Sequence, residues 1–251
     1  VPHAFADCLN FGNPEKPDRM ADFYECCRGL GYVASSLGVP FVSGNVSFYN
    51  ESAALKESIP PTPTILGIGL CEDVRECVTV DIKEAGNQLY VIGETKEELG
   101  GSEYCKLWRV EGGIVPRTDP AVLSRSMGAL REAMKIGLIA SCHDVSEGGL
   151  AVAVCEMLLG GDIGASINVA GVNPELRSDY KLFSESNSRW VVEVRKEEAE
   201  RFEALMNTRG VCISNIGETV EEKRIGVHDK NKELVNISLE EVRTAWLGTF
   251  G

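Results

Sequence analysis

The chain has 251 residues, of which 43% are hydrophobic, so it can bury a core that suits one large domain or two modest ones. Its formal charge of −13 argues against nucleic acid as a partner, because phosphate backbones are bound by clustered Lys and Arg. No stretch is long and apolar enough to span a membrane, and the start of the chain has no signal region, so we expect neither membrane insertion nor secretion.

The cysteine pattern indicates a reducing compartment. The nine cysteines are odd in number, form no C-x-x-C pair and lie mostly inside apolar runs, so we interpret them as reduced thiols of a cytoplasmic protein. The three histidines are scattered along the chain and do not suggest a metal cluster. The chain begins at Val1 without an initiating Met, and we expect it to be a piece of a longer protein.

The first hundred residues predict a strand, a helix and further strands. An apolar segment at 5–9 leads to a Gly-Asn-Pro break, and Pro17 suits the first position of a helix that ends at Gly38. A strand from Phe41 then opens into a turn at 43–47, and residues 60–63 predict a loop. Residues 64–70 and 88–92 predict buried strands, and a charged run ending in two glycines places a domain boundary at about residue 100.

The remainder mixes helices and strands without a strict βαβ rhythm. Strands are predicted at 139–141, 165–169, 190–194, 211–218 and 223–227, and helices at 121–136, 149–159 and 196–206. Ser238 opens a last helix with capping-box spacing. The pattern favours an α+β fold with two domains, 1–100 and 101–251.

The sequence at 43–47, Ser-Gly-Asn-Val-Ser, is a candidate ligand site on its chemistry. Glycine permits close approach of a phosphate to the backbone, Asn supplies a neutral oxygen for a hard cation, and Ser donates to phosphate oxygens. The alternative is a plain strand-end turn, where the same residue types are common for conformational reasons.

Asp7 is a second candidate, because it lies inside an apolar, strand-like segment where an unpaired charge is costly. Its carboxylate therefore needs a partner. A metal, a ligand hydroxyl or amino group, and a helix terminus all remain open.

Two polar loops are further candidates. Residues 143–150 join a strand to a helix whose amides could bind an anion, although the P-loop and nucleophile-elbow patterns are both absent. His143 beside Asp144 could be half of a catalytic pair or a packed, capping histidine. Residues 183–189 could form an anion-binding turn or an ordinary surface loop before a strand.

Taken together, these segments resemble one known family. Residues 7–17 read Asp-Cys-Leu-Asn-Phe-Gly-Asn-Pro-Glu-Lys-Pro, and residues 42–51 read Val-Ser-Gly-Asn-Val-Ser-Phe-Tyr-Asn-Glu. Both are similar to signatures of the large subunit of small-type phosphoribosylformylglycinamidine synthases, and the segments at 61–63, 99–104, 143–150 and 183–187 match further family segments in the same order.

This resemblance implies a fold, a reaction and cofactors. The chain would be the carboxy-terminal half of the subunit: a partial second A domain and a second B domain of the aminoimidazole ribonucleotide synthetase-like architecture. The family uses ATP and Mg²⁺ to phosphorylate the formamide oxygen of formylglycinamide ribonucleotide, and ammonia from glutamine then displaces phosphate to give the amidine of purine biosynthesis. Its catalytic histidines lie in the first half, so the resemblance implies that this chain alone is inactive.

Four residues correspond to family positions by motif. The resemblance implies that Asp7 and Gly44 contact ATP, that Asn45 is a ligand of Mg²⁺ and that Ser47 contacts the ribonucleotide. One departure is Ser188, where glycine is expected beside the 183–187 loop. In the family, the 183–187 loop belongs to a cleft in the second half of the subunit, and this cleft is degenerate or holds an auxiliary nucleotide.

The resemblance also implies partners: the amino-terminal half of the subunit, a glutaminase subunit and a small accessory subunit. Two other functions remain open. One is a non-catalytic half that acts only as a structural or auxiliary nucleotide-binding module. The other is a sister enzyme of the same architecture, such as selenophosphate synthetase, although such enzymes lack the long signature at 7–17.

Overall fold

In the computed structural model, which describes residues 2–54 and 57–248, the chain divides into two compact units, Val1–Glu72 and Asp73–Gly251. The predicted boundary at about residue 100 is therefore wrong. The strand at 88–92 pairs on both edges with strands of the second unit, so these residues cannot be separated from that sheet. A charged, glycine-rich stretch near residue 100 is a loop inside the second unit and not a linker.

In its described residues, the first unit has one long helix and five strands. The elements are β1 (Pro2–Asn10), α1 (Pro17–Leu37), β2 (Phe41–Ser47), β3 (Glu51–Ser52), β4 (Glu57–Ser58) and β5 (Thr62–Gly69). Strands β2, β1 and β5 form a sheet in that order, with β1 parallel to β2 and antiparallel to β5. Strands β3 and β4 form a separate antiparallel pair.

Helix α1 is built as its sequence predicts. Pro17 is at the first helical position, where its missing N–H costs no hydrogen bond. Gly38 ends the helix in the left-handed conformation, with φ of 67°, and its amide reaches the carbonyls of Ala34 and Ser35.

The predicted turn at 43–47 is instead strand. These residues pair in parallel with residues 6–10 of β1, so the ladder continues to Ser47. The residues of the Ser-Gly-Asn-Val-Ser motif are common in turns, but the neighbouring strand supplies the hydrogen bonds that keep them extended.

The second unit, described as far as residue 248, holds a larger sheet and six α-helices. In chain order its elements are β6 (Gln88–Ile92), α2 (Glu103–Trp108), α3 (Pro120–Lys135), β7 (Ser141–Asp144), α4 (Gly149–Gly161), β8 (Gly164–Asn168), α5 (Ser178–Phe183), β9 (Trp190–Val194), α6 (Ala199–Thr208), β10 (Ile213–Val220), β11 (Arg224–Asp229), β12 (Lys232–Ser238) and α7 (Leu239–Leu247). The seven strands lie in the order β12-β11-β8-β10-β6-β9-β7, and all pairs except β11–β8 are antiparallel.

Both faces of this sheet are covered by helices. Leu89 and Val91 face one core with α4, α5 and α7, whereas Tyr90 and Ile92 face the other core with α3 and α6. The alternation follows from the two-residue period of a strand. Burying each large apolar side chain stabilises the unit by about 1.5–3 kcal/mol relative to leaving it exposed.

The mixed sheet and helices confirm the predicted α+β class. Strand β9 lies where it is predicted, and Ser238 and Glu241 form the predicted capping box of α7. Strand β7 begins two residues later than predicted, and the short helices α2 and α5 and strand β12 were not predicted. Within the described residues, no helix is long and apolar enough to cross a membrane.

Candidate functional site

The strongest candidate site lies in the first unit, where β1 and β2 run side by side. The parallel register sets Asp7 beside Gly44, Cys8 beside Asn45 and Asn10 beside Ser47. Residues that are far apart in sequence therefore become neighbours across one ladder.

Asp7 and Gly44, the two predicted ATP contacts, touch each other. A β-carbon added at Gly44 would lie 2.4 Å from Oδ1 of Asp7, so the Asp7 carboxylate covers this glycine. The requirement for glycine here is one of space and not of a positive φ angle.

The carboxylate of Asp7 also has no partner among the described residues. It is half-buried, and among the described residues it accepts no hydrogen bond and forms no ion pair. Burial, followed by the charges of Cys27 and Asp7, raises the pKa of the Cys26 thiol in helix α1. The sequence predicts that Asp7 needs a partner, and a ligand can supply it.

Asn45 and Ser47, the predicted metal and substrate contacts, lie on the opposite face of the sheet. Successive side chains of a strand alternate between faces, so Asn45 and Ser47 share a face with Cys8 and Asn10, whereas Gly44 shares a face with Asp7. The structure therefore divides the four predicted residues into two pairs, a division that the sequence motif alone did not indicate.

Glu51 is a polar residue of this region that sequence reasoning did not single out. Its carboxylate contacts the loop that follows β1, although the two segments are far apart in the sequence. The only available signal was its place at the end of the 42–51 motif.

In the second unit, the two predicted polar loops meet at one carboxylate. Oε1 of Glu185 accepts hydrogen bonds from the amides of Gly148, at 2.8 Å, and Glu103, at 3.0 Å. Gly148 caps the amino terminus of α4, so the amide that could bind an external anion already holds an internal one.

His143 is not arranged as a catalytic base. Its Nδ1 lies 3.2 Å from Oδ1 of Asp144 and its Nε2 lies 2.9 Å from Oε2 of Glu156, so both ring nitrogens are engaged. It lines an open pocket of about 470 Å³ together with Arg243 and Trp246. This arrangement favours a packed histidine over the catalytic pair.

The structure shows why glycine would suit the position of Ser188. Ser188 has φ of 62°, the left-handed region that glycine occupies without cost. Next to it, the buried Arg189 donates to the carbonyls of Ser184 and Ser186 and to Oγ1 of Thr95. Burial lowers the pKa of Arg189 to about 10, against the opposing charges of Glu98 and Glu185.

Comparison with known proteins identifies the family. Residues 1–71 match the model of the AIR synthase related protein, N-terminal domain, and residues 84–230 match that of the C-terminal domain. The chain belongs to the AIR synthase related protein family. The two matched ranges fall within the two units of the structure.

Individual members of the family are also similar to the chain. It is 39% identical over 245 residues to the phosphoribosylformylglycinamidine synthase subunit PurL of Thermoplasma acidophilum, a match that covers 98% of this chain and 31% of that protein. The chain thus spans about a third of the length of this relative. The predicted resemblance is confirmed by this match.

Solved structures of the family show the same fold. The PurL of Thermotoga maritima complexed with ATP has a TM-score of 0.73 and 20% identity, covering 95% of this chain and 37% of that one. The same protein complexed with FGAR has a TM-score of 0.75 and 19% identity, covering 96% and 39%. At these identities the likeness shows the fold alone.

Proposed function

We propose that this chain is part of the carboxy-terminal half of the large subunit of a phosphoribosylformylglycinamidine synthase, with a partial second A domain and a second B domain. The complete enzyme would convert formylglycinamide ribonucleotide, ammonia and ATP to the amidine, ADP and phosphate in purine biosynthesis. The observation that carries the proposal is the 39% identity to a PurL subunit over nearly the whole chain.

Within this enzyme, Asp7 and Gly44 would contact ATP. The support is the carboxylate of Asp7, which is half-buried over Gly44 and has no hydrogen-bond partner among the described residues. A ligand hydroxyl or amino group would supply the missing donor, and the absence of a side chain at Gly44 leaves the space that the Asp7 carboxylate occupies.

Asn45 would be one ligand of Mg²⁺. Its exposed side-chain amide is a neutral oxygen donor of the kind that Mg²⁺ accepts. In the described part of the chain no three acidic, His or Cys side chains group into a metal site, so the remaining ligands would be phosphate oxygens, water and carboxylates of other polypeptide. When bound, the cation supplies neutralisation of the phosphate charge.

Ser47 would orient the ribonucleotide from the same face as Asn45. Its hydroxyl can donate to a phosphate or sugar oxygen, and its own carbonyl is fixed by the amide of Phe11 at 2.9 Å. The chain's residues would thus hold and orient reactants, which is the main catalytic requirement of phosphoryl transfer.

The partners would be the amino-terminal half of the subunit, a glutaminase subunit and a small accessory subunit, and the chain alone would be inactive. Strand β5 supports the need for partners, since it is an edge strand of its sheet and exposes Ile65, Leu66 and Ile68. We propose that the enzyme acts in the cytoplasm, where the cysteines would remain reduced.

Turnover of the complete subunit with ammonia and ATP tests the site. Asn45→Asp and Ser47→Ala should each lower the rate, by about tenfold or more if a transition-state contact is lost. Ser43→Ala is the matched control, because Ser43 lies on the same face of β2 and has no assigned role. Unchanged turnover in both site variants would refute the assignment.

The isolated chain tests the division of labour. Calorimetry with Mg-ATP should show weak binding or none, and no amidine should form. Amidine formation by this chain alone would contradict the requirement for the other half. Weak binding that Gly44→Ala does not change would instead favour an auxiliary nucleotide site elsewhere in the chain.

A further inference from the structure

The turn that follows β2 is strained. Tyr49 has φ of 59°, a left-handed conformation that is unfavourable for a bulky residue. Its amide donates to the carbonyl of Gly12 at 3.1 Å, and the next amide, of Asn50, donates to the carbonyl of Phe11 at 3.2 Å. The loop after β1 therefore holds this turn in a conformation that it would not keep by itself.

The side chain of Asn50 extends this connection to the end of β2. Its Nδ2 donates to the carbonyl of Phe11 at 3.1 Å and to that of Ser47 at 2.8 Å. The amide of Phe11 donates to the same Ser47 carbonyl at 2.9 Å. The last residue of β2 is thus fixed by two donors.

The carboxylate of Glu51 connects the loop after β1 to strand β4. Its Oε1 accepts from the amide of Asn13 at 3.0 Å, from Oγ of Ser58 at 2.7 Å and from Nζ of Lys16 at 2.9 Å, and its Oε2 lies 2.9 Å from the same Nζ. The hydrogen bond from Lys16, then those from Ser58 and Asn13, lower the pKa of Glu51 to about 2, so it stays charged in neutral solution.

These contacts join three parts of the first unit: the loop after β1, the turn after β2 with strand β3, and strand β4. Gly12 shows how closely they pack, because a β-carbon there would lie 2.5 Å from Oγ of Ser58. We call Glu51 and its contacts to Asn13, Lys16 and Ser58 the carboxylate clamp.

We propose that Glu51 is a positioning residue for Asn45 and Ser47. The carboxylate clamp fixes the carboxyl ends of β1 and β2 and keeps Tyr49 in its strained turn, so the side chains of Asn45 and Ser47 are held in place for their ligands. This inference rests on the proposed function of Asn45 and Ser47, because Glu51 acts through them and not on a ligand.

The first test measures amide hydrogen exchange in the chain. In Glu51→Ala, the amides of Asn13, Tyr49 and Asn50 should exchange about tenfold faster, because their hydrogen-bonded segments open more often. Glu51→Gln keeps an acceptor for Asn13 and Ser58 but loses the charge, so its effect should be smaller.

Matched variants separate the ion pair from the rest of the clamp. Lys16→Gln should speed exchange as much as Glu51→Gln, and the double variant should add little to either, because both remove the same interaction. Glu25→Gln is the control: it breaks an exposed ion pair with Arg28 in the same unit and should leave the three amides unchanged. If these three amides exchange at the same rate in Glu51→Ala as in the wild type, the carboxylate clamp does not hold these segments and the proposal is wrong.

The second test distinguishes positioning from simple stabilisation. In the complete synthase, at a temperature where the variant is fully folded, Glu51→Ala should raise the Mg²⁺ concentration for half-maximal rate about tenfold. A purely structural role would lower Tm without moving the Mg²⁺ dependence, and that result would overturn the positioning role. Faster exchange in Glu51→Ala combined with unchanged turnover in Asn45→Asp and Ser47→Ala would instead refute the proposed function.

Discussion

Each of the two units has an acid inside an apolar strand, but only one of the two acids is surrounded by hydrogen-bond donors in the described structure. Asp7 and Glu193 each interrupt an apolar strand, and a charge at such a position needs a partner. Glu193 in β9 is fully buried, yet its oxygens accept from Asn87 Nδ2 at 2.6 Å and from Ser141 Oγ at 2.8 Å. The amides of residues 83 and 84 donate to the same carboxylate.

Asp7 receives no such bonds from the described residues, although its carboxylate is half-buried over Gly44. The difference shows how to separate a structural acid from a candidate ligand contact. A buried carboxylate with a complete set of donors holds the fold together, whereas a carboxylate without donors leaves its bonds for something else. Four changes test or refine this comparison.

The largest effect is expected at Glu193. Glu193→Ala removes the acceptor of four hydrogen-bond donors, two of which belong to the buried Asn87 and Ser141, and should cost about 4 kcal/mol of unfolding free energy. Urea denaturation measures the change, with the exposed Glu221→Ala as control. A loss under about 1 kcal/mol, the range of surface pairs, would contradict the structural role of this acid.

The next effect is expected at the buried ion pair of Lys181 and Asp229. Nζ of Lys181, with 1% of its side chain exposed, lies 3.0 Å from Oδ1 of Asp229. Lys181→Met should cost about 3 kcal/mol at pH 7, because it leaves a poorly solvated carboxylate. Lys223→Met, which breaks a surface pair with Asp162, is the control and should have a much smaller effect.

The cost of Lys181→Met should depend on pH. Burial by itself raises the pKa of Asp229, but the hydrogen bonds from Lys181 and Ser178 outweigh it and hold this pKa below the ordinary value of 3.8. A depressed acid stabilises the fold above its unfolded pKa and loses this contribution as pH falls through its folded pKa. The difference between wild type and variant should therefore shrink below pH 3.8. If the stability difference between wild type and Lys181→Met grows as the pH falls, the role assigned to the charged Asp229 is contradicted.

A smaller effect is expected at Gly44. The methyl group of Gly44→Ala would meet Oδ1 of Asp7 at 2.4 Å, but among the described residues this carboxylate has no hydrogen bond to lose when it moves. The expected cost is about 1–2 kcal/mol, and Asp7→Ala combined with Gly44→Ala should recover most of it. Strict additivity in this double-mutant cycle would mean that the two residues do not interact.

The smallest effect is a gain in stability. Ser188 has a left-handed φ of 62°, which is unfavourable for a residue with a side chain, and Ser188→Gly relieves this strain. The change also removes a buried hydroxyl that has no partner among the described residues. The expected gain is about 1 kcal/mol, measured as a rise in Tm. Gly210→Ala is the matched reverse change, since Gly210 also has φ of 62° and open space around it, and it should be destabilising.

Local signals predicted the fold best. Helix α1 is delimited by Pro17 and Gly38, and α7 begins with the predicted capping box, because these signals act within a few residues. The boundary at about residue 100 failed because β6 belongs to the second unit through its pairing with β9 and β10, which follow much later in the chain.

For the candidate site, the sequence by itself determined the family, since the motifs at 7–17 and 42–51 identify it through residue types at fixed spacing, and from the family it predicted which residues carry the chemistry. Only the tertiary structure decided how they are arranged. Strand pairing placed Asp7 over Gly44, set Asn45 and Ser47 on the other face and brought Glu51 to the loop after β1. Such contacts depend on register between distant segments, and register is fixed by the whole sheet and not by the residues of one motif.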